Sequence, residues 1–193
     1  MADWTDLNYV VVDVEGNGQQ APDLVELAVV PITVGIIGAP VSWLVKPDQP
    51  IRHFATRIHG LTNSDVADAP VFAAIGDEVL RALDSAALVA HHAHVDVGVL
   101  QRKLGGWHCP EVFDTLKLAR RLLPGQDSYR LGALVEALKL DSELPEGLTP
   151  HRATYDALVT ARLFVQFAAR ARSLEELRGD PSGGGDDETP ALF

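Results

Sequence analysis

A short stretch near the start of the chain, residues 9–18, limits most strongly what this protein can fold into. Residues 9–14 are apolar except for Asp13, and Glu15 follows directly. Such valine-rich runs are typical of a strand that is buried on both faces inside an α/β sheet. Because side chains two residues apart on a strand share one face, we expect the carboxylates of Asp13 and Glu15 to lie side by side.

Two explanations fit this acidic pair. Adjacent negative charges at the end of a buried strand are costly without a compensating cation, and a hard divalent ion prefers carboxylate oxygens. The alternative is that one acid is exposed while the other caps a turn. The stretch alone leaves both explanations open.

Composition favours one folded domain, residues 1–178, followed by a short tail. The chain has 193 residues, of which 47% are hydrophobic, and this is enough for a sizeable core. Residues 179–193 are rich in glycine and acids, which predicts a disordered tail. The formal net charge of −11 disfavours tight nucleic-acid binding unless a metal site or a local basic rim supplies the attraction.

The sequence favours a cytoplasmic location. Cys109 is the only cysteine, so an internal disulfide is excluded, as suits a reducing compartment. The first residues are acidic and contain no apolar signal region. The uncharged residues 27–45 are interrupted by glycines and prolines, so we expect two strands there rather than a membrane span.

Apolar periodicity predicts an α/β fold with a five-stranded mixed sheet and helices on both faces. The predicted strands are residues 8–15, 24–34, 37–46, 86–90 and 111–113. Five helices are predicted. The first begins at Pro70, the second spans residues 96–104, and the third runs from the last strand to Leu123. The fourth begins after an N-cap at Ser128, and the fifth runs from Thr154 to about residue 178.

Two more acids join the first pair as candidates. Asp96 opens a predicted helix, and Asp156 lies in the first turn of the last helix, five residues after His151. Each acid has an ordinary explanation as a helix-start residue that favours the helix dipole. Taken together they gain weight, because phosphoryl transfer with two metal ions needs several carboxylates and a nearby base.

The motifs in this chain resemble those of the DEDDh-type 3′–5′ exonucleases, the DnaQ-like proofreading family. Asp13-Val14-Glu15 with Gly18 is similar to the first motif, and Ala90-His91-His92-Ala93-His94-Val95-Asp96 to the second. His151-Arg152-Ala153, with Asp156, matches the third motif in its histidine form. The resemblance covers roughly residues 8–170, and the ordered set is far more specific than any single motif.

This resemblance implies a ribonuclease H-like fold and a metal-dependent enzyme that hydrolyses nucleic-acid 3′ ends to nucleoside 5′-monophosphates. It implies that four acids hold two divalent ions, Mg²⁺ or Mn²⁺, and that His151 is the catalytic base. The four are Asp13, Glu15, Asp96 and Asp156. It also implies a set of substrate-binding residues, which are Gly16, Asn17, Gly18, His59 and His92. For His59, a structural role in its turn is the favoured alternative.

Two positions depart from the usual family motifs. Gly16-Asn17 stands where two threonines are common, and His92 stands where the second motif usually has asparagine. Both positions lie on the substrate side in the family, so the departures bear on affinity and sugar discrimination. Five basic residues are candidates for a rim that binds phosphates, and for each of them a solvated helix face is an equally good explanation. They are Lys103, Arg120, Arg121, Arg130 and Arg152.

Three functions compete at this point. The first is a DNA-directed 3′–5′ exonuclease of the proofreading or repair type, acting on single-stranded or frayed 3′ ends. The second is an exoribonuclease that trims RNA, which presents the same scissile phosphate. The third is a module that binds nucleic acid or a partner without cutting, and the complete set of acids with His151 argues against it.

The last five residues suggest a protein partner. Residues 189–193 weakly resemble the Leu-Phe-terminated peptides that dock on bacterial sliding clamps, which would tether the enzyme to a clamp or polymerase near DNA 3′ ends. The favoured alternative is an incidental end to a linker, because short motifs often match by chance.

Overall fold

The computed structural model of the chain describes residues 3–85, 87–171 and 173–179. These residues form a mixed sheet with helices on both faces, which confirms the predicted fold class. The predicted tail lies outside the described residues except for Gly179, and so do residues 189–193.

The sheet has six strands in the described part of the chain: β1 (Tyr9–Gly16), β2 (Leu24–Thr33), β3 (Ile36–Ile37), β4 (Val41–Leu44), β5 (Ala87–Ala90) and β6 (Glu111–Asp114). The central strand β1 pairs antiparallel with β2 and parallel with β5, which in turn pairs parallel with β6. Both β3 and β4 pair antiparallel with β2. The order across the sheet is therefore β3-β2-β1-β5-β6, with β4 also on β2.

The predicted third strand, residues 37–46, is two strands in the structure. β3 pairs with the end of β2 through Ile37 and Ile32, and pairing resumes at Val41 opposite Val29. Pro40 lies in the gap and has no N–H to donate to β2. This interruption explains why the sheet has six strands instead of the predicted five.

Seven α-helices accompany the sheet within the described residues: α1 (His53–His59), α2 (Phe72–Ala82), α3 (His94–Leu104), α4 (Thr115–Leu122), α5 (Leu131–Leu138), α6 (Ala153–Ala168) and α7 (Leu174–Arg178). None of these helices is long and apolar enough to span a membrane. The short helix α1 was not predicted.

Two predicted helix boundaries were wrong. The helix expected over residues 154–178 is split into α6 and α7, because the Ser173 hydroxyl accepts the Glu176 N–H at 3.1 Å and starts a new helix. The N-cap of α5 is Arg130 and not Ser128, whose hydroxyl instead accepts the Arg130 N–H at 3.3 Å.

Alternate residues of β1 enter two different cores. Tyr9 and Val11 pack with α4, α5, α6 and α7 on one face of the sheet, where Phe164 and Phe167 of α6 are fully buried. Val10 and Val12 pack with α2 and α3 on the other face. Asp13 and Glu15 continue the series of Tyr9 and Val11, so β1 directs both acids toward the face that α6 covers.

Candidate active site

Three of the four predicted acids meet at the end of β1. Asp13 and Glu15 come from the strand, and Asp156 comes from the first turn of α6. Each offers a carboxylate oxygen that lies within 4.8 Å of the others. Because β1 and α6 pack against each other through the sheet's apolar face, the fold holds the three carboxylates at fixed positions.

The fourth acid, Asp96, reaches β1 from the opposite layer. It lies in the first turn of α3 and is 5% exposed. Its Oδ1 accepts the backbone N–H of Val14 at 3.1 Å. The pairing of β1 with β5 ends at Val11 and Val89, so this carboxylate occupies the strand edge beyond β5.

The electrostatics of the four acids favour a bound cation. Burial raises the pKa of Asp13 well above its usual value, and the nearby Asp96, Asp156 and Glu15 raise it further. Burial is also the largest cause of the raised pKa values of Glu15, Asp96 and Asp156. Among the residues described, no Lys or Arg forms an ion pair with any of the four. A cluster of oxygen donors that lacks positive charge fits a hard divalent ion.

His151 lies beside this cluster in the turn that precedes α6. It is exposed and lines the same groove as Asp13 and Asp156. Its φ of 61° is in the left-handed region, which few residues other than glycine adopt. A hydrogen bond from its backbone N–H and its charge both lower the pKa of Asp156, against the larger effect of burial. The turn therefore joins a titratable imidazole to an acid of the cluster.

The groove that contains Asp13 and Asp156 has a volume of about 1100 Å³. Arg120 and Arg130 line it, as does Lys139. Two of the five candidates for a basic rim thus line the same groove as the acids.

The other three rim candidates are bound to partners within the protein. Lys103 pairs with Asp23 at 2.5 Å, and Arg121 donates to the carbonyl of Leu177 at 2.7 Å. Arg152 forms an ion pair with Glu26 at 2.7 Å. For these three a contact with phosphate stays a prediction.

The side chain of Asn17 stabilises its own loop through hydrogen bonds. The residue is 0% exposed, and its Oδ1 accepts the N–H groups of Gln19 at 3.1 Å and Asp23 at 2.9 Å. Its Nδ2 donates to the carbonyl of Gln49 at 3.1 Å. The polar atoms of this side chain are thus occupied within the loop, and its contact with substrate stays a prediction.

Position 18 requires glycine, both because of its backbone conformation and because neighbouring side chains leave no space for a Cβ. Its φ is 77°, and an added Cβ would lie 2.8 Å from the ring of Phe54. At Gly16 an added Cβ would meet Pro22 at 3.0 Å. The predicted roles of these two glycines toward a substrate stay predictions.

His59 is likewise bound within the protein. The residue is 4% exposed, and its Nδ1 accepts the Leu61 N–H at 3.1 Å. The proton is therefore on Nε2, which donates to the carbonyl of Gly16 at 3.2 Å. With both nitrogens occupied, His59 supports the loop after β1, in keeping with a structural role, and its contact with substrate stays a prediction.

His92 faces the groove, as predicted for a residue on the substrate side. It has a φ of 66°, and its ring meets that of His94 edge-on with centroids 4.1 Å apart. Its role toward a substrate stays a prediction.

Asp114 supports the site and was not among the predicted site residues. Its carboxylate accepts the backbone N–H groups of His92 and Ala93, both at 3.1 Å, and of Leu116 at 2.9 Å. It thus ties the segment before Asp96 to the start of α4. An Asp placed directly before a helix was the available signal, because such residues cap helices.

Comparison with protein families and known proteins identifies clear relatives. The family model described as exonuclease, of the RNase T type, matches residues 10–164. Exodeoxyribonuclease 10 of Escherichia coli K12 is 39% identical over 176 residues, which are 89% of this chain and 76% of that protein. The 3′–5′ exonuclease DinG of Bacillus subtilis is 35% identical over 173 residues; the match covers 86% of this chain but only 18% of DinG.

A solved structure has a similar fold. Exonuclease X in complex with 5′ overhanging duplex DNA superposes with a TM-score of 0.70 at 38% identity, over 83% of this chain and 91% of that one.

Proposed function

Because this chain belongs to the RNase T-type exonuclease family, the DEDDh group that its motifs indicated, we propose that it removes nucleotides from the 3′ ends of DNA. The observation that carries the proposal is the acid cluster, in which oxygens of Asp13, Glu15 and Asp156 lie within 4.8 Å of one another. His151 and the groove lie beside it. We assign this activity to residues 1–178.

We propose that the site takes two divalent ions, Mg²⁺ or Mn²⁺. Asp13, Glu15 and Asp156 would hold them together with Asp96. Once bound, such ions stabilise the attacking and leaving oxygens of an in-line displacement at phosphorus. Four carboxylates and two divalent ions have no net formal charge, which would relieve the repulsion that now raises the pKa values of the acids.

The protein's own groups supply the remaining tasks. The imidazole of His151 would take the proton of the attacking water, as a general base does. Arg120 and Arg130 would contact the phosphates of the nucleotides that precede the scissile bond. These local charges would offset the net charge of −11.

DNA is the proposed substrate because relatives at 38–39% identity are named for it or solved with it. A single-stranded or frayed 3′ end fits an open groove that leads to the half-buried acid cluster. Tethering through residues 189–193 to a sliding clamp or polymerase rests on the sequence alone, since those residues lie outside the described part.

The decisive experiment is a side-by-side assay on 3′-labelled single-stranded DNA and RNA of equal sequence. We expect nucleoside 5′-monophosphates from DNA in Mg²⁺ or Mn²⁺, and none in excess chelator. The Asp13→Asn variant is the matched inactive control, because it alters one carboxylate oxygen only. Faster release from RNA would establish the exoribonuclease function, and binding without release from either strand would establish a module that does not cut.

A further inference from the structure

We infer that Glu26 and Arg152 form a positioning pair that fixes His151 and Asp156 in the geometry needed for hydrolysis, an inference that rests on the proposed function. Neither residue touches the reacting atoms in this arrangement. The pair acts through the turn and helix start that carry the base and the acid.

The Glu26 carboxylate is fully engaged. The residue is 4% exposed, and its Oε1 accepts Nη2 of Arg152 at 2.7 Å. Its Oε2 accepts both Nε of Arg152 and the backbone N–H of Ala153, each at 3.0 Å. Two parallel bonds from one guanidinium fix the plane of the side chain as well as its distance.

The position of Glu26 in the sheet links the acids of β1, Asp13 and Glu15, to the acid of α6, Asp156. Glu26 on β2 stands directly opposite Glu15 on β1. Arg152 is the N-cap of α6, and Ala153 is the first residue of that helix. The pair therefore fixes the start of α6 to β2, beside the strand β1 that carries Asp13 and Glu15.

The groups fixed in this way are the ones that the reaction needs. The Asp156 N–H donates to the carbonyl of Arg152 at 3.0 Å, so the acid moves with the residue that Glu26 holds. His151 directly precedes Arg152, and its φ of 61° depends on a firmly held neighbour. A shift of α6 would displace the base and one metal ligand together.

Stability alone does not account for the pair. Replacing a buried ion pair by apolar residues of similar size is often neutral or stabilising, because the charges lose their hydration. Arginine offers what an apolar residue lacks, namely a rigid fork that defines orientation. The pair therefore serves geometry, and its loss should appear in turnover more than in substrate affinity.

A second Arg–Glu pair in the protein provides a matched control. Arg178 of α7 donates to Glu111 of β6 through Nε at 2.6 Å and Nη2 at 2.8 Å, which is the same fork geometry. That pair joins a helix to the sheet as well. Neither residue lines the groove of the acid cluster.

The test compares Glu26→Gln, Arg152→Gln, the double variant and Glu111→Gln with the wild-type chain. The measurements are kcat and KM on single-stranded DNA, Mn²⁺ affinity by calorimetry, and the melting curve by circular dichroism. We expect either single change near the site to lower kcat about 10–100-fold, the usual effect of a group that supports a metal site. KM should stay within about threefold and Mn²⁺ affinity should fall, while Glu111→Gln should match the wild type.

If the pair acts as one unit, the double variant should lose no more activity than the less active of the two single variants. Independent losses that multiply, or a folded Glu26→Gln variant with wild-type kcat and Mn²⁺ affinity, would overturn the inference. Should Glu26→Gln unfold, Arg152→Lys keeps the charge without the fork and must show the same loss of kcat. A wild-type chain that cleaves no nucleic acid would refute the proposed function, and Mn²⁺ affinity would still report on the pair.

Discussion

The carboxylate of Asp96 accepts the backbone N–H of Val14 at 3.1 Å, midway between Asp13 and Glu15 in the sequence. This one contact joins α3 to the strand at the centre of the acid cluster. Asp96 therefore satisfies an N–H that has no partner on β5, and it also brings a fourth carboxylate to the site. Structure and proposed metal binding depend on the same side chain.

The two tasks of Asp96 can be separated by substitution. Asp96→Ala should abolish activity and lower the free energy of unfolding by about 1–3 kcal/mol, because the Val14 N–H is left buried without an acceptor. Asp96→Asn should be as inactive, yet at least as stable as the wild type in chelator, since it keeps an acceptor and removes a repelled charge. Urea unfolding in excess chelator measures both variants. Equal stability of the two would show that the hydrogen bond to Val14 is unimportant.

The assignment of His151 as a base predicts loss of turnover without loss of metal. His151→Asn should lower kcat about 10²–10⁴-fold, the usual contribution of general base catalysis. Asparagine is the suitable replacement because it tolerates the left-handed backbone that this position requires. Mn²⁺ affinity, measured by calorimetry, should be unchanged. A parallel collapse of metal affinity would mean that His151 is a ligand.

Local patterns in the sequence predicted much of the site. The valine-rich run with acids two residues apart identified β1, and ordered motifs identified Asp96, His151 and Asp156. These signals are local, because strand alternation and helix starts depend on neighbouring residues. The structure brings three of the acids together as that reasoning expected.

The contacts that were not predicted involve side chains whose partners are distant in sequence. Arg152 was considered for a phosphate rim, but its partner Glu26 is 126 residues away. Asn17 was assigned to substrate, whereas its amide reaches Gln49, 32 residues later. Nothing in either local segment reveals these contacts, which exist only once the sheet has formed.

The half-buried His91 predicts how stability depends on pH. It contacts the hydroxyl of Thr115 at 2.9 Å and the carbonyl of Tyr129 at 3.0 Å, and burial lowers its pKa from 6.5 to about 4. Between these values the unfolded chain binds the proton and the folded chain does not. The contribution of His91 is therefore complete above pH 6.5 and is lost as pH falls toward 4, by at most about 3 kcal/mol.

The variant His91→Gln isolates this contribution, because glutamine can donate and accept hydrogen bonds but does not titrate. Unfolding free energies of both proteins should be compared from pH 7.5 to 4.5 in chelator. We expect the wild type to lose more stability than His91→Gln over this interval. Parallel curves would show that the pKa of His91 is the same in the folded and the unfolded chain.

Helix α4 carries basic residues toward two different cavities, which gives a direct test of the groove. Arg120 lines the groove that contains Asp13 and His151, whereas Lys117, one turn earlier, lines a separate cavity beside β6. Arg120→Ala should raise KM for single-stranded DNA about 3–10-fold and reduce the salt dependence of binding by about 0.7 in log–log slope, the amount expected for one lost phosphate contact. Lys117→Ala removes the same charge from the same helix and should change neither quantity. Equal effects of the two variants would mean that only the overall charge of α4 matters, and that Arg120 makes no specific phosphate contact.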